Sequence, residues 1–412
     1  MARIDSSRSW ILVLVLGVGC TIAYVDRVLL SFATPTIIKE FGLDGAVAGM
    51  LLSAFFWSYT LMQIPSGWLV DRYGTRQTLA FGYALWSLSC VATGSMSSLP
   101  SLVACRLGLG VGESPLYPSG YRVVSTEFSE RHRGLASAIY SEGAKLGPAI
   151  GAPVAAWLIV AYGWRAMFIT VGLGSLIWLV PWLMVAPSRQ EDVDLVRSKF
   201  GRRDWMALLK RREIWGISLG YFGYLYVFYV YITWMPSYLI LTRGFTILKA
   251  GLYSSLPFLL QFTFGLVGGW LADYLIHKGY SATIIRKCAI GCGLLLGMSI
   301  VPAAFADAGE TAALWFAVSL AGLGIAVPNM LAVPSALAPM GRGGIVGAIQ
   351  NTAGNLGGVL APIVTGVLYE ATGSFTAALV GAGAMLCVSA FGYLVLIPRV
   401  GPIVIRSEQA SG

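Results

Sequence analysis

The segment "GLASAIYSEGAKLG", residues 134–147, has a counterpart 210 residues further along the chain, "GIVGAIQNTAGNLG" at 344–357. A second pair, "GWLVD" from Gly67 and "GWLAD" from Gly269, is offset by 202. Two nearly equal offsets describe a chain made of two related halves. Internal repeats of this length are the sequence footprint of transporters built from duplicated helix bundles, which carry a substrate site between the bundles near the bilayer midplane.

Composition agrees with that reading. Of 412 residues, 57% are hydrophobic and 11% charged, and the mean hydropathy of +0.74 lies far from that of a soluble domain. Apolar runs of about 20 residues, enough for a helix to cross a bilayer, recur from end to end. Twelve spans are expected, near 10–33, 46–68, 77–97, 100–125, 134–160, 165–186, 214–240, 249–272, 285–306, 311–337, 343–369 and 374–397. The runs are continuous rather than alternating, which excludes a transmembrane barrel. The first run passes straight into "YVDRVLLSFATP" without a small-residue cleavage site, so it reads as a span and not as a signal peptide.

The net charge of +9 does not form a nucleic-acid-binding face, because the basic residues collect in short alternating loops such as "DRYGTR" and "SERHRG". By the positive-inside rule those loops and both termini are cytoplasmic, and a bacterial inner membrane suits the short outer loops. The polar stretch 187–213 reads as a cytoplasmic linker between an N-terminal six-helix bundle, 1–186, and a C-terminal one, 214–412. The six cysteines are scattered and form no CxxC pair, and there is neither a metal-ligand cluster nor a nucleophile–base pair. No cofactor and no enzymatic activity are expected.

Several ordered motifs, "GWLVDRYGTR", "YVDRVLLSFATP", "SAFFWSYTLMQIPSGW", "RLGLGVGESPLYP" and "NTAGNLGG", together resemble the major facilitator superfamily. Within it they resemble the anion:cation symporter family of bacterial sugar-acid and other organic-anion transporters and sialin-like carriers. The resemblance covers essentially the whole chain. It implies an all-α fold of twelve transmembrane helices in two pseudo-symmetric bundles, working as a monomer on a small organic anion and protons. It also favours Tyr24 and Tyr59 as substrate contacts. The family often has a neutral polar residue such as glutamine in the part of the fifth span that here reads "EGAKLG".

The residues themselves suggest a division of roles. Ionisable groups deep in a span are costly and face a partner or a cavity. Arg27 is the first choice for the substrate's carboxylate, since a guanidinium offers two parallel donors. Asp26 and Glu113 are candidate proton carriers, with Arg106 two turns before Glu113 on one helix face. Glu142 and Lys145, at i and i+3, either neutralise one another or supply Lys145 as a second cation for substrate. The 210-residue offset maps Lys145 onto Asn355 and Ser141 onto Asn351, which places both sets on the central cavity.

Tyr224, Asn329, Asn351 and Asn355 give the C-terminal half neutral hydrogen-bonding groups. Asp71, Arg72 and Arg76 form a gate latch, for which Gly67 and Gly74 permit close helix approach. Tyr274 replaces the arginine of the corresponding second-half loop, so the latch there should be weaker. The sequence thus points to a proton-coupled symporter of a sugar acid or other monocarboxylate. Alternatives are a phosphate-ester exchanger of the same superfamily and a non-transporting membrane sensor.

Overall fold

A computed structural model describes residues 5–187, 208–338 and 343–403. Most of the linker expected at 187–213 lies outside these ranges, as do the basic loop around 341 and the tail after 403. The helices are α1 (Ser7–Phe41), α2 (Gly45–Tyr73), α3 (Thr75–Thr93), α4 (Leu99–Glu113), α5 (Leu116–Glu127), α6 (Glu130–Ser141), α7 (Gly143–Leu176) and α8 (Leu179–Val185). After the linker come α9 (Arg212–Ser237), α10 (Ile247–His277), α11 (Ala282–Gly297), α12 (Ile300–Ala304), α13 (Gly309–Leu337), α14 (Gly343–Thr372) and α15 (Thr376–Ala390). Single π-turns extend α9 over Tyr238–Thr242 and α15 over Phe391–Leu396.

Nine stretches among the described residues are long and apolar enough to cross a membrane unaided, and one of them, Arg131–Val185, is 55 residues long. A single helix of that length would be about 80 Å, far beyond a bilayer. It is folded back at Gly163, whose φ of +82° and ψ of 162° are open essentially to glycine alone. Gly74 has nearly the same conformation (φ +84°, ψ 155°) where α2 turns into α3. The stretch therefore holds the fifth and sixth spans. The third span is the shorter, less apolar α3. The fourth is α4 and α5, interrupted at Ser114 and Pro115, where proline withholds a donor and bends the path. Twelve spans result.

Close contacts divide the chain into two units. One contains the described residues up to 187 together with Ile232–Leu256 and Pro362–Gly373; the other contains 208–231, Pro257–Ala361 and the described residues from Ser374. Helices α9, α10 and α14 thus contribute to both.

Without water between apolar surfaces, membrane helices associate where small residues let backbones approach. Gly143, Gly147 and Gly151 form a stripe of period four on α7; a Cβ on any of them would press on Thr21, Tyr24 or Val25 of α1. In the second unit Gly216, Gly220 and Gly223 of α9 seat Gly392, Tyr393 and Met385. Within the first unit, the N-terminal end of α2 meets the far end of α14. Gly49 there packs on the Pro362 carbonyl, Gly45 packs on Gly366, and the Glu370 carboxylate accepts the Gly45 N–H at 2.8 Å.

Gly67 departs from expectation. No atom lies within 4 Å of where its Cβ would be, so close approach does not explain it. Gly112, by contrast, sits where a Cβ would lie 2.5 Å from the Trp86 backbone nitrogen and 2.7 Å from the Gly82 carbonyl. Gly112→Val should cost about 1–3 kcal/mol by overpacking and lower the melting temperature in detergent. Gly67→Ala should leave it unchanged or slightly raised, and a differential scanning fluorescence melt of both variants checks the contrast.

Candidate functional site

Asp26 and Arg27 are neighbours in sequence, but a helix turns about 100° per residue, so they meet different partners. Arg27 reaches α4, where its Nε and Nη2 both donate to Glu113 Oε2, at 2.9 and 2.8 Å. Its guanidinium also lies over three rings, Tyr24 at 4.3 Å, Phe55 at 4.6 Å and Tyr59 at 4.8 Å. Phe55 and Tyr59 are i and i+4 on α2 and stack on each other, which gives the cation a flat apolar seat. The ion pair is closed to solvent, with side-chain exposures of 2% and 0%. A buried pair of this kind is weak evidence for stability, because desolvation offsets its attraction. A functional reason for keeping it is therefore needed.

Asp26 turns the other way, to α3. Its Oδ2 accepts from Trp86 Nε1 at 3.0 Å, and Cys90 Sγ lies 3.7 Å from Oδ1. Asp26 and Arg27 form no ion pair, so a fixed salt bridge between neighbours does not explain them. Arg106 is buried beneath Phe55, 5.5 Å from that ring's centre. Its Nε and Nη1 have no hydrogen-bond partner among the described residues, and neither has Glu113 Oε1. The arginine that holds Glu113 is thus Arg27 of another helix rather than Arg106 of its own.

Glu142 sits at the join of α6 and α7 and accepts from Lys145 Nζ at 2.7 Å, with side-chain exposures of 17% and 7%. The lysine is neutralised in this conformation. In the second unit the Tyr224 hydroxyl accepts from Gln261 Nε2 at 3.3 Å. Asn355 Oδ1 accepts from the Tyr229 hydroxyl at 3.4 Å, and its Nδ2 donates to the Asn351 carbonyl at 3.0 Å. Asn329 donates to the Ile325 carbonyl, while its Oδ1 is buried without a partner among the described residues.

In the loop expected to act as a latch, Asp71 accepts from Arg122 Nη1 of α5 at 3.0 Å, and Arg76 donates to the Leu183 carbonyl of α8 at 2.7 Å. Arg72 instead lies over Trp68 and Tyr73. The second-half counterpart, Asp273, meets Arg286 at the longer distance of 3.4 Å.

Sequence reasoning did not single out Trp86, Cys90, Phe55, Tyr117 or Gln261. Tyr117 faces the Tyr24 hydroxyl at 3.5 Å. Gln261 carried a signal, being a lone amide in "FLLQFTFG". Trp86 carried none, since an indole in an apolar span reads as packing.

A family model described as Major Facilitator Superfamily matches residues 16–362. The chain belongs to that superfamily. It is accordingly a multi-pass membrane transporter and not an enzyme. The D-galactonate transporter of Escherichia coli O6:H1 is 34% identical, over 95% of this chain and 96% of its own length. The probable galactarate/D-glucarate transporter GudP of Bacillus subtilis is 30% identical, over 98% of this chain and 95% of its own. Two solved structures at 18% identity share the fold. A bacterial homologue of the human lysosomal transporter Spinster has a TM-score of 0.78 over 94% of this chain and 96% of its own. The D-xylose-proton symporter has 0.74 over 95% and 98%.

If Asp71 and Arg122 act as one latch, Asp71→Asn and Arg122→Gln should slow transport by similar, severalfold amounts. An exposed pair contributes only about 0.2–1 kcal/mol. The double variant should be no slower than the worse single one, and Arg72→Ala should transport at the parent rate. Initial uptake rates in a double-mutant cycle test this.

Proposed function

We propose that this transporter is a proton-coupled symporter of a sugar acid or a similar monocarboxylate. The observation that carries the reading is the buried Arg27–Glu113 pair, with a second carboxylate and a second arginine beside it. Asp26, Arg27, Arg106 and Glu113 sum to zero formal charge when both carboxylates are ionised. Buried charge is tolerated only when compensated. A monoanion entering this cluster restores zero only if one proton enters with it. Electroneutral co-entry of one carboxylate and one proton is therefore the favoured loaded state.

The named residues fit the steps of such a cycle. Protonating Glu113 ends its claim on Arg27, whose donors then turn to the substrate carboxylate against Tyr24 and Tyr59. Asp26 is the alternative proton carrier. When the substrate leaves and Glu113 is ionised again, Arg106 can share it with Arg27, since Arg106 Nε and Nη1 and Glu113 Oε1 have no hydrogen-bond partner among the described residues. In this reading Tyr224, Asn329, Asn351 and Asn355 hydrogen-bond substrate hydroxyls, and Lys145 with Glu142 tunes the charge the site accepts. The relatives named as D-galactonate and galactarate/D-glucarate transporters support a polyhydroxylated acid. Placement in a bacterial inner membrane with both termini cytoplasmic belongs to the same proposal. A phosphate-ester exchanger is expected to add a second cation from the seventh span for a doubly charged group. Residues 214–240 carry none, and Lys145, which could substitute, is engaged by Glu142.

In liposomes with an imposed pH gradient, the parent protein should accumulate galactonate uphill and acidify the lumen. Asp26→Asn combined with Glu113→Gln should abolish uphill accumulation while counterflow exchange of labelled galactonate persists. Uphill accumulation surviving in that variant would overturn the proposal. Arg27→Lys keeps the charge but loses the two-donor geometry. It should weaken substrate binding by roughly 10- to 100-fold, the worth of a charge-assisted hydrogen bond, measured by isothermal titration.

A further inference from the structure

We propose that a column of four aromatic rings in contact, Trp86, Tyr83, Trp178 and Trp182, positions the latch loop 71–76 according to the state of the Asp26 carboxyl. The column can be followed contact by contact. Trp86 Nε1 donates to Asp26 Oδ2 at 3.0 Å. The Trp86 ring lies 3.8 Å from Tyr83, tilted by 37°, and Tyr83 stacks on Trp178 at 4.0 Å with 15° between planes. Trp178 stacks on Trp182 at 5.3 Å and 12°. Trp182 Nε1 then donates to the Arg76 carbonyl at 3.1 Å, and Arg76 returns a bond from Nη2 to the Leu183 carbonyl next to Trp182. One end of the column is thus a buried carboxylate and the other is the latch.

Ordinary packing explains buried rings but not this arrangement. All three indole N–H groups are committed: to the carboxylate, to the latch backbone and, for Trp178, to the Val15 carbonyl of α1 at 2.8 Å. Gly19 of α1 leaves room for the Trp178 ring, since a Cβ there would lie 2.8 Å from the ring. Each of the four rings is at most 4% exposed, so a displaced ring presses on its neighbours rather than moving into solvent. Tyr83 has no hydrogen-bond partner for its hydroxyl among the described residues, so the rings on either side hold it in place.

The groups facing Asp26 are Trp86 and Cys90 of α3, while Glu113 and Arg106 of α4 act on it by charge. Neutralising Asp26 weakens the charge-assisted bond to Trp86, and the ring column carries the resulting shift to Arg76. Trp86, Tyr83, Trp178 and Trp182 are positioning residues in this scheme and need not touch substrate. The inference rests on the proposed role of Asp26 as a proton carrier, but its test needs neither a proton gradient nor a substrate.

Hydrogen exchange followed by mass spectrometry, on peptides covering 71–80 and 180–187 of the full-length protein in detergent, reads the latch directly. Asp26→Asn should change exchange there by about threefold or more, as expected for coupling carried through a packed network. The change should persist in a Trp178→Phe background, which keeps a ring in the stack. It should vanish in Trp178→Leu. It should vanish also in Trp182→Phe, which keeps the stack and loses only the bond to Arg76, so a misfolded Trp178→Leu leaves the test intact. No response to Asp26→Asn in the parent, or an undiminished response in Trp182→Phe, would overturn the column. Failure of proton-driven uptake with the latch response intact would overturn the symport reading and leave the column standing.

Discussion

Four ionisable side chains inside an apolar slab have to be compensated before anything else in this protein can work. Arg27 and Glu113 compensate each other directly; Asp26 is held by an indole N–H, and Arg106 lies against a ring. Each solution dictates structure around it. The aromatic seat under Arg27 requires Phe55 and Tyr59 on one face of α2. The bond to Asp26 requires α3 to bring Trp86 close, and α3 and α4 approach through Gly82 and Gly112 at that same level. Glycines that look like mere packing devices therefore also fix where the charges sit.

Much of the fold was legible because membrane constraints write directly into sequence. Span length, loop charge and the duplicated "GWLVD" and "EGAKLG" neighbourhoods each act through local composition. Charged positions were legible for the same reason, since an aspartate or arginine in an apolar run has no neutral explanation. Partners were less legible. Arg106 stands two turns from Glu113 on one helix, yet Glu113 is held by Arg27 of another, because side chains choose partners by direction as well as by spacing. The reason for Gly67 was misread, since nothing in a sequence distinguishes a glycine facing a backbone from one facing open space. The aromatic column could not be foreseen either. It joins α3 to residues almost a hundred positions later, and stacking order is a property of three dimensions only.

The two halves have diverged in the kind of polarity they carry. Where the first half has Lys145, the second has Asn355; where the first has Glu142, the second has Thr352. Asn355 is committed to Tyr229 and to its own helix, and Tyr224 accepts from Gln261, so these contacts join neutral groups without any net charge.

Concentrating charge in one half has a consequence for alternating access. If the compensating partners were shared across two bodies that move relative to each other, every reorientation would expose an unpaired charge to hydrocarbon, at several kcal/mol each. Here Asp26, Arg27, Arg106 and Glu113 all lie on α1 and α4 of the first unit, and the contacts described above join them to each other, to α2 and to α3. Their mutual compensation survives any rigid movement of that bundle. In the proposed cycle the arrival of a proton or an anion disturbs it, and this is the condition under which the energy of reorientation comes to depend on what is bound.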